Sequence, residues 1–171
     1  MGAGIHGGFG MGTKGAQDSQ TDSLIKELKK SGAKFTEKDI IFVTKDATGQ
    51  LVWLEKGNKS AGLEHIINGD GKSSGHAADF EKAFGISKDQ VACYLNKVIS
   101  YGKVISNKLV KRGSCEGFER VYYYLGKYYV ITGIGTNGFI ISAYPKKIKE
   151  KNDCVYGKNN ERLYTQPDLD I

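Results

Sequence analysis

The chain has 171 residues, of which 39% are hydrophobic and 26% charged, and its formal net charge is +6. That length fits one domain with extra segments at either end, and the charge favours an anionic partner, either nucleic acid or an acidic protein. No apolar run approaches a membrane span, the start lacks the hydrophobic stretch of a secretory signal, and Cys93, Cys115 and Cys154 have no CxxC spacing, which argues against a zinc site or a full disulfide framework.

The chain opens on M-G-A-G-I-H-G-G-F-G-M-G-T-K-G-A, a glycine-dense stretch that reads as a linker and contains His6, an expected bystander. Residues 1–20 are therefore expected to be flexible, 21–147 to form the folded domain, and 148–171 to be a polar tail. A linker at the start points to a domain taken from the end of a larger protein. A short amphipathic helix is expected over 22–30, with Leu24, Ile25 and Leu28 on one face and Gly32 as its stop. Segments 39–45 and 50–55 read as strands of a hairpin turned at Asp46–Gly49, with Trp53 packed on a sheet face.

The pattern over 58–67 is helical and carries His65 near its end. A polar loop follows with Gly69, Asp70, Gly71 and Gly75, in which Asp70 is expected to cap a turn. The next helix opens on His76 and stops at Gly85. Ser87 and Gln90 match a capping box for a third helix bearing Val91, Tyr94, Leu95 and Val98, in which Cys93 is expected to be a small buried hydrophobe; Gly102 ends it. Lys108, Lys111 and Arg112 read as a solvated basic loop, with phosphate steering as the lesser alternative.

Three strands are expected over 118–125, 127–135 and 139–145. Gly126 turns the first pair, and Asn137-Gly138 suits a type I′ hairpin. Tyr122, Tyr123, Tyr124, Tyr128 and Tyr129 are read as sheet packing rather than as a base-stacking platform. Alternation along the last strand puts Ile140, Ser142 and Tyr144 on one face and Phe139, Ile141 and Ala143 on the other. Helices first and an antiparallel sheet last imply an α+β fold.

Two histidines flanking one polar loop suit paired general acid–base chemistry near neutral pH. RNA cleavage needs that pairing, because the 2′-hydroxyl must lose a proton while the departing 5′-oxygen gains one. The run E-H-I-I-N-G-D from Glu64 to Asp70, the S-G-H ending at His76, and N-G-F-I-I-S-A-Y-P from Asn137 to Pro145 resemble the EndoU endoribonucleases. The stretch from Leu51 to Ile66 together with H-A-A-D-F is similar to bacterial EndoU-like and barnase–EndoU–colicin–RelE-like nuclease domains. Those occur at the C-termini of polymorphic and contact-dependent inhibition toxins. The resemblance covers roughly residues 38–147.

The resemblance implies an EndoU-like fold and metal-independent cleavage of RNA, tRNA among the substrates, leaving 2′,3′-cyclic phosphate and 5′-hydroxyl ends, with no cofactor. It implies His76 as general base, His65 as general acid, and Ser142 and Tyr144 as nucleotide contacts. A cation completes such a site, and Lys88, Arg120 and Lys103 are the three candidates. It further implies delivery from a larger effector into the cytoplasm of a target bacterium and a cognate immunity protein, which should be acidic given the charge of the chain. Two features depart from the family pattern: the interval between the histidines is short, and the doubled glycine before the second is missing. Two rival readings are a basic module that binds RNA or protein without cutting, and a metal nuclease using Gly75 to Asp79 with Asp70.

Overall fold

The computed structural model describes residues 19–149; the glycine-rich opening with His6, and most of the expected tail with Cys154, lie outside them. Helix α1 (residues 19–30) leads into a short 3-10 turn and then the antiparallel hairpin of β1 (Ile40–Lys45) and β2 (Leu51–Glu55). Three helices follow: α2 (Leu63–Asn68), α3 (Ala77–Phe84) and α4 (Val91–Tyr101). The chain then forms an antiparallel meander of β3 (Lys103–Arg112), β4 (Cys115–Tyr123), β5 (Tyr128–Gly135) and β6 (Ile140–Lys147), in that spatial order. The architecture is α+β, and among the described residues no helix is long and apolar enough to cross a membrane.

Helical and strand periodicity converge on one main core. Val91, Leu95, Val98 and Ile99 form the buried stripe of α4, and Ile66 and Phe80 are the buried residues of α2 and α3. They pack against Tyr122, Val130, Ile134, Ile140 and Ala143 of the sheet and Phe42, Val52 and Leu54 of the hairpin. Each such fully buried apolar side chain stabilises the fold by roughly 1.5–3 kcal/mol. Alternation along the hairpin sends Val43 and Trp53 the other way, where they meet Leu24, Ile25 and Leu28 of α1. Trp53 is fully buried, as expected, and its backbone N–H donates to the Gly138 carbonyl, tying the hairpin to the β5–β6 turn.

Several expectations are corrected. The helix expected over 58–67 begins only at Leu63, because Gly62 sits at φ 88 and residues 58–61 close a turn held by the Asn58–Ala61 bridge. Cys93 is exposed, not buried: it lies about 200° round α4 from Val91 at 100° per residue. The expected basic loop at Lys108, Lys111 and Arg112 is part of the edge strand β3, paired in continuous register with β4 from Ser106 to Arg112. The β5–β6 turn spans Gly135 to Gly138, closed by the Gly138 N–H on the Gly135 carbonyl, so Thr136 and Asn137 are its central residues. The tyrosines do pack as sheet residues: Tyr122 lies in the main core, and Tyr129 in a second apolar cluster with Val121 and Ile131.

The most consequential difference is a bulge in β6. Gly133 pairs with Ser142 but Ile134 pairs with Ile140, so Ile141 is an extra residue. It shifts the alternation, and Ile140 joins Ala143 in the core instead of sharing a face with Ser142 and Tyr144. The carbonyl of Ile141 accepts the N–H of Gly62, the residue that starts α2. The bulge thus couples the strand of Ser142 and Tyr144 to the helix of His65.

Candidate active site

The loop between the histidines folds back on α2. Gly75 packs so closely that a Cβ there would lie 2.1 Å from the Ile67 carbonyl oxygen, which excludes every other residue type. Asp70 organises the loop by accepting from the N–H groups of Lys72 and Ser73 and from the Ser73 hydroxyl, the capping role expected of it. Those hydrogen bonds hold its carboxyl below the usual carboxylate range. The return places the His76 N–H against the carbonyl of Ile66, the residue after His65, at 2.7 Å.

Both imidazoles are half-buried and both are anchored through Nδ1. That of His65 lies 2.7 Å from the Lys59 carbonyl, in the turn before α2. That of His76 lies 2.8 Å from the Asp79 carboxylate, one helical turn along α3. A carbonyl and a carboxylate only accept, so each Nδ1 carries a hydrogen and each ring presents Nε2 as its reactive nitrogen. Among the described residues neither Nε2 has a hydrogen-bond partner. Asp79 had no expected role beyond the rival metal reading; its i, i+3 spacing from His76 is the signal that was there to find.

Tyr144 stands beside His76, with ring centroids 5.2 Å apart and planes 29° from parallel. It also lines a cleft of about 330 Å³ on the sheet face opposite the main core. Ser142 lines the same cleft, as the alternation implied, together with Arg112 and Glu119. Partial burial and then the Glu119 charge push the Tyr144 hydroxyl pKa up, and Arg112 opposes them. Neither imidazole lines the cleft itself; His76 borders it through Tyr144.

The three candidate cations fare differently. Arg120 is 1% exposed and fully committed, its guanidinium donating to Asp46 at 2.6 Å, Gln50 at 2.7 Å and Asn107 at 3.1 Å. It faces the core from the centre of the sheet, so it is a structural residue and not a site cation. Tyr122 donates to the same Asp46 carboxylate. Burial works against ionisation of Asp46, yet hydrogen bonds from Thr48 and Tyr122 and the Arg120 charge together hold its carboxyl below its ordinary value. Lys88 is exposed in the 3-10 turn between α3 and α4, and it does not line the cleft. Lys103 opens β3 opposite Tyr123, at the end of that strand away from Arg112, and it does not line the cleft. Arg112 does line the cleft; placed by its sequence in a basic loop, it had phosphate steering only as its lesser role.

Among the described residues no group of three or more His, Cys, Asp or Glu side chains could hold a metal ion. Set beside models of known protein families and curated protein sequences, the chain matches none of them.

Proposed function

We propose that the protein is an endoribonuclease with an EndoU-like, barnase–EndoU–colicin–RelE-like fold, cutting RNA by acid–base chemistry between His76 and His65 and needing no metal. The observation that carries this reading is the matched anchoring of the two imidazoles, each held by Nδ1 and each offering Nε2, with His76 bordering, through Tyr144, a cleft that also contains Ser142. Neutral His76 takes the 2′-hydroxyl proton at Nε2, and the 2′-oxygen attacks the adjacent phosphorus. Protonated His65 gives its Nε2 hydrogen to the departing 5′-oxygen. The products are a 2′,3′-cyclic phosphate and a 5′-hydroxyl end, and the proton count balances across the two rings. Asp79 fixes the tautomer and orientation of His76. Tyr144 offers a ring for the sugar or base, a contact of about 1–3 kcal/mol in comparable complexes. Arg112, rather than Lys88, Arg120 or Lys103, is the cation proposed to offset charge on the phosphate.

The family resemblance and the net charge of +6 extend the reading to a toxin domain released from a larger effector and acting in the cytoplasm of a target bacterium. tRNA is the proposed substrate. An acidic immunity protein covering the cleft is the proposed partner. A second reading, a basic module that binds without cutting, draws on the fact that neither imidazole lines the cleft.

Incubation of the 171-residue protein with total tRNA in EDTA separates the two. The expected outcome is strand scission visible on a denaturing gel. Intact tRNA that nonetheless comigrates with the protein on a native gel would favour the binding module.

A further inference from the structure

We propose that the cleft is a nucleobase slot selective for guanine, in which Glu119 accepts the paired N–H donors of the base; this rests on the ribonuclease reading of the same site. The floor of the slot is bare backbone. Gly117 of β4 pairs with Gly135 of β5, and Gly133 pairs with Ser142 of β6 and with Glu119 of β4. A Cβ on Gly133 would lie 2.9 Å from the Ser142 hydroxyl oxygen, and one on Gly117 would lie 2.8 Å from the Ile134 carbonyl oxygen. The missing side chains leave peptide planes whose own N–H and C=O groups are spent on the sheet ladder, a flat surface suited to a planar ring. Val110 and Ile131 supply apolar walls and Tyr144 an aromatic one. The volume of about 330 Å³ falls at the small end of ligand sites.

The polar lining then selects the ring. Two carboxylates line the cleft, and Glu116 is engaged by Lys111 at 2.9 Å. Glu119 is partly buried and has neither a hydrogen bond nor an ion pair among the described residues, although Lys108 stands opposite it in the register. A carboxylate presents two parallel acceptors. Guanine alone among the four RNA bases offers two adjacent donors, N1–H and the exocyclic amine. Adenine and cytosine place an acceptor beside their amine, and uracil sets its single N–H between two carbonyls. Bidentate pairing of this kind discriminates by roughly 10–100-fold. Arg112, which also lines the cleft, suits the attached phosphate.

The test is titration of the full chain with the four nucleoside 3′-monophosphates, followed by nuclear magnetic resonance or calorimetry. Guanosine 3′-monophosphate is expected to bind at least about tenfold more tightly than the others. Glu119→Gln should abolish that preference while retaining the thermal midpoint of the wild type, because the amide turns one acceptor into a donor. Equal affinity for all four nucleotides, or a guanine preference that survives Glu119→Gln, overturns the proposal. RNA cut without guanine preference would sink the slot and leave the nuclease standing. Selective guanosine binding with uncut RNA would do the reverse.

Discussion

Replacing His76 with alanine lowers the rate of RNA cleavage by about 10²–10⁴-fold, the contribution a positioned general acid or base makes. His65→Ala falls in the same range. The double variant loses little beyond the worse single one, because the rings act as one proton-transfer unit and either loss disables it. Single-turnover cleavage of a labelled tRNA measures all three. Asp79→Asn is expected to lose less, since it keeps the Nδ1 contact but weakens orientation of the ring. Near wild-type cleavage by either histidine variant would remove that ring from the mechanism. Both side chains are partly exposed, so their replacement should leave the thermal midpoint almost unchanged.

Stability has its own critical group. Arg120→Met is expected to destabilise the fold by about 3–5 kcal/mol, because it leaves the Asp46 carboxylate buried without its cation. Asp46 is 6% and Arg120 1% exposed, so water cannot substitute. For a domain of this size that loss lowers the thermal midpoint by roughly 10 °C or more. Removing both charges with Asp46→Leu and Arg120→Met should cost less than the two singles added together, since no orphaned charge remains. The pH dependence has a definite sign. The folded-state pKa of Asp46 lies below its ordinary value of 3.8, so its stabilisation is complete above that value and is lost as the pH falls through the lower, folded one. Urea melts across that acid range, in the wild type and in Arg120→Met, measure both effects.

Much of the fold was legible where one periodicity held. The α4 stripe, the β1–β2 hairpin, the Gly85 and Gly102 stops and the Ser87–Gln90 capping box all follow from local pattern and turn chemistry. Strand β3 was not legible, because an edge strand has one unpaired side and lysines in place of alternation, the composition that keeps such edges from pairing with other chains. The Ile141 bulge was equally hidden, since nothing in F-I-I-S-A-Y-P marks which residue is extra. Ser142 and Tyr144 still emerge on one face, because the bulge precedes them. Arg120 illustrates the other limit. A charged residue amid V-Y-Y-Y looks exposed and functional until its partners Asp46, Gln50 and Asn107, between 13 and 74 positions away, are brought around it. The candidate site was readable as residue types at motif spacing, whereas the Nδ1 anchors and the glycine floor exist only after folding.

The chemistry of the cut ends tests the proposed mechanism most directly. With tRNA cleaved in EDTA and the fragments analysed by mass spectrometry, transfer of the 2′-proton to one imidazole and donation from the other predicts 2′,3′-cyclic phosphate and 5′-hydroxyl termini. Fragments ending in 3′-hydroxyl and 5′-phosphate groups, or cleavage that appears only when a divalent metal is restored, would contradict it.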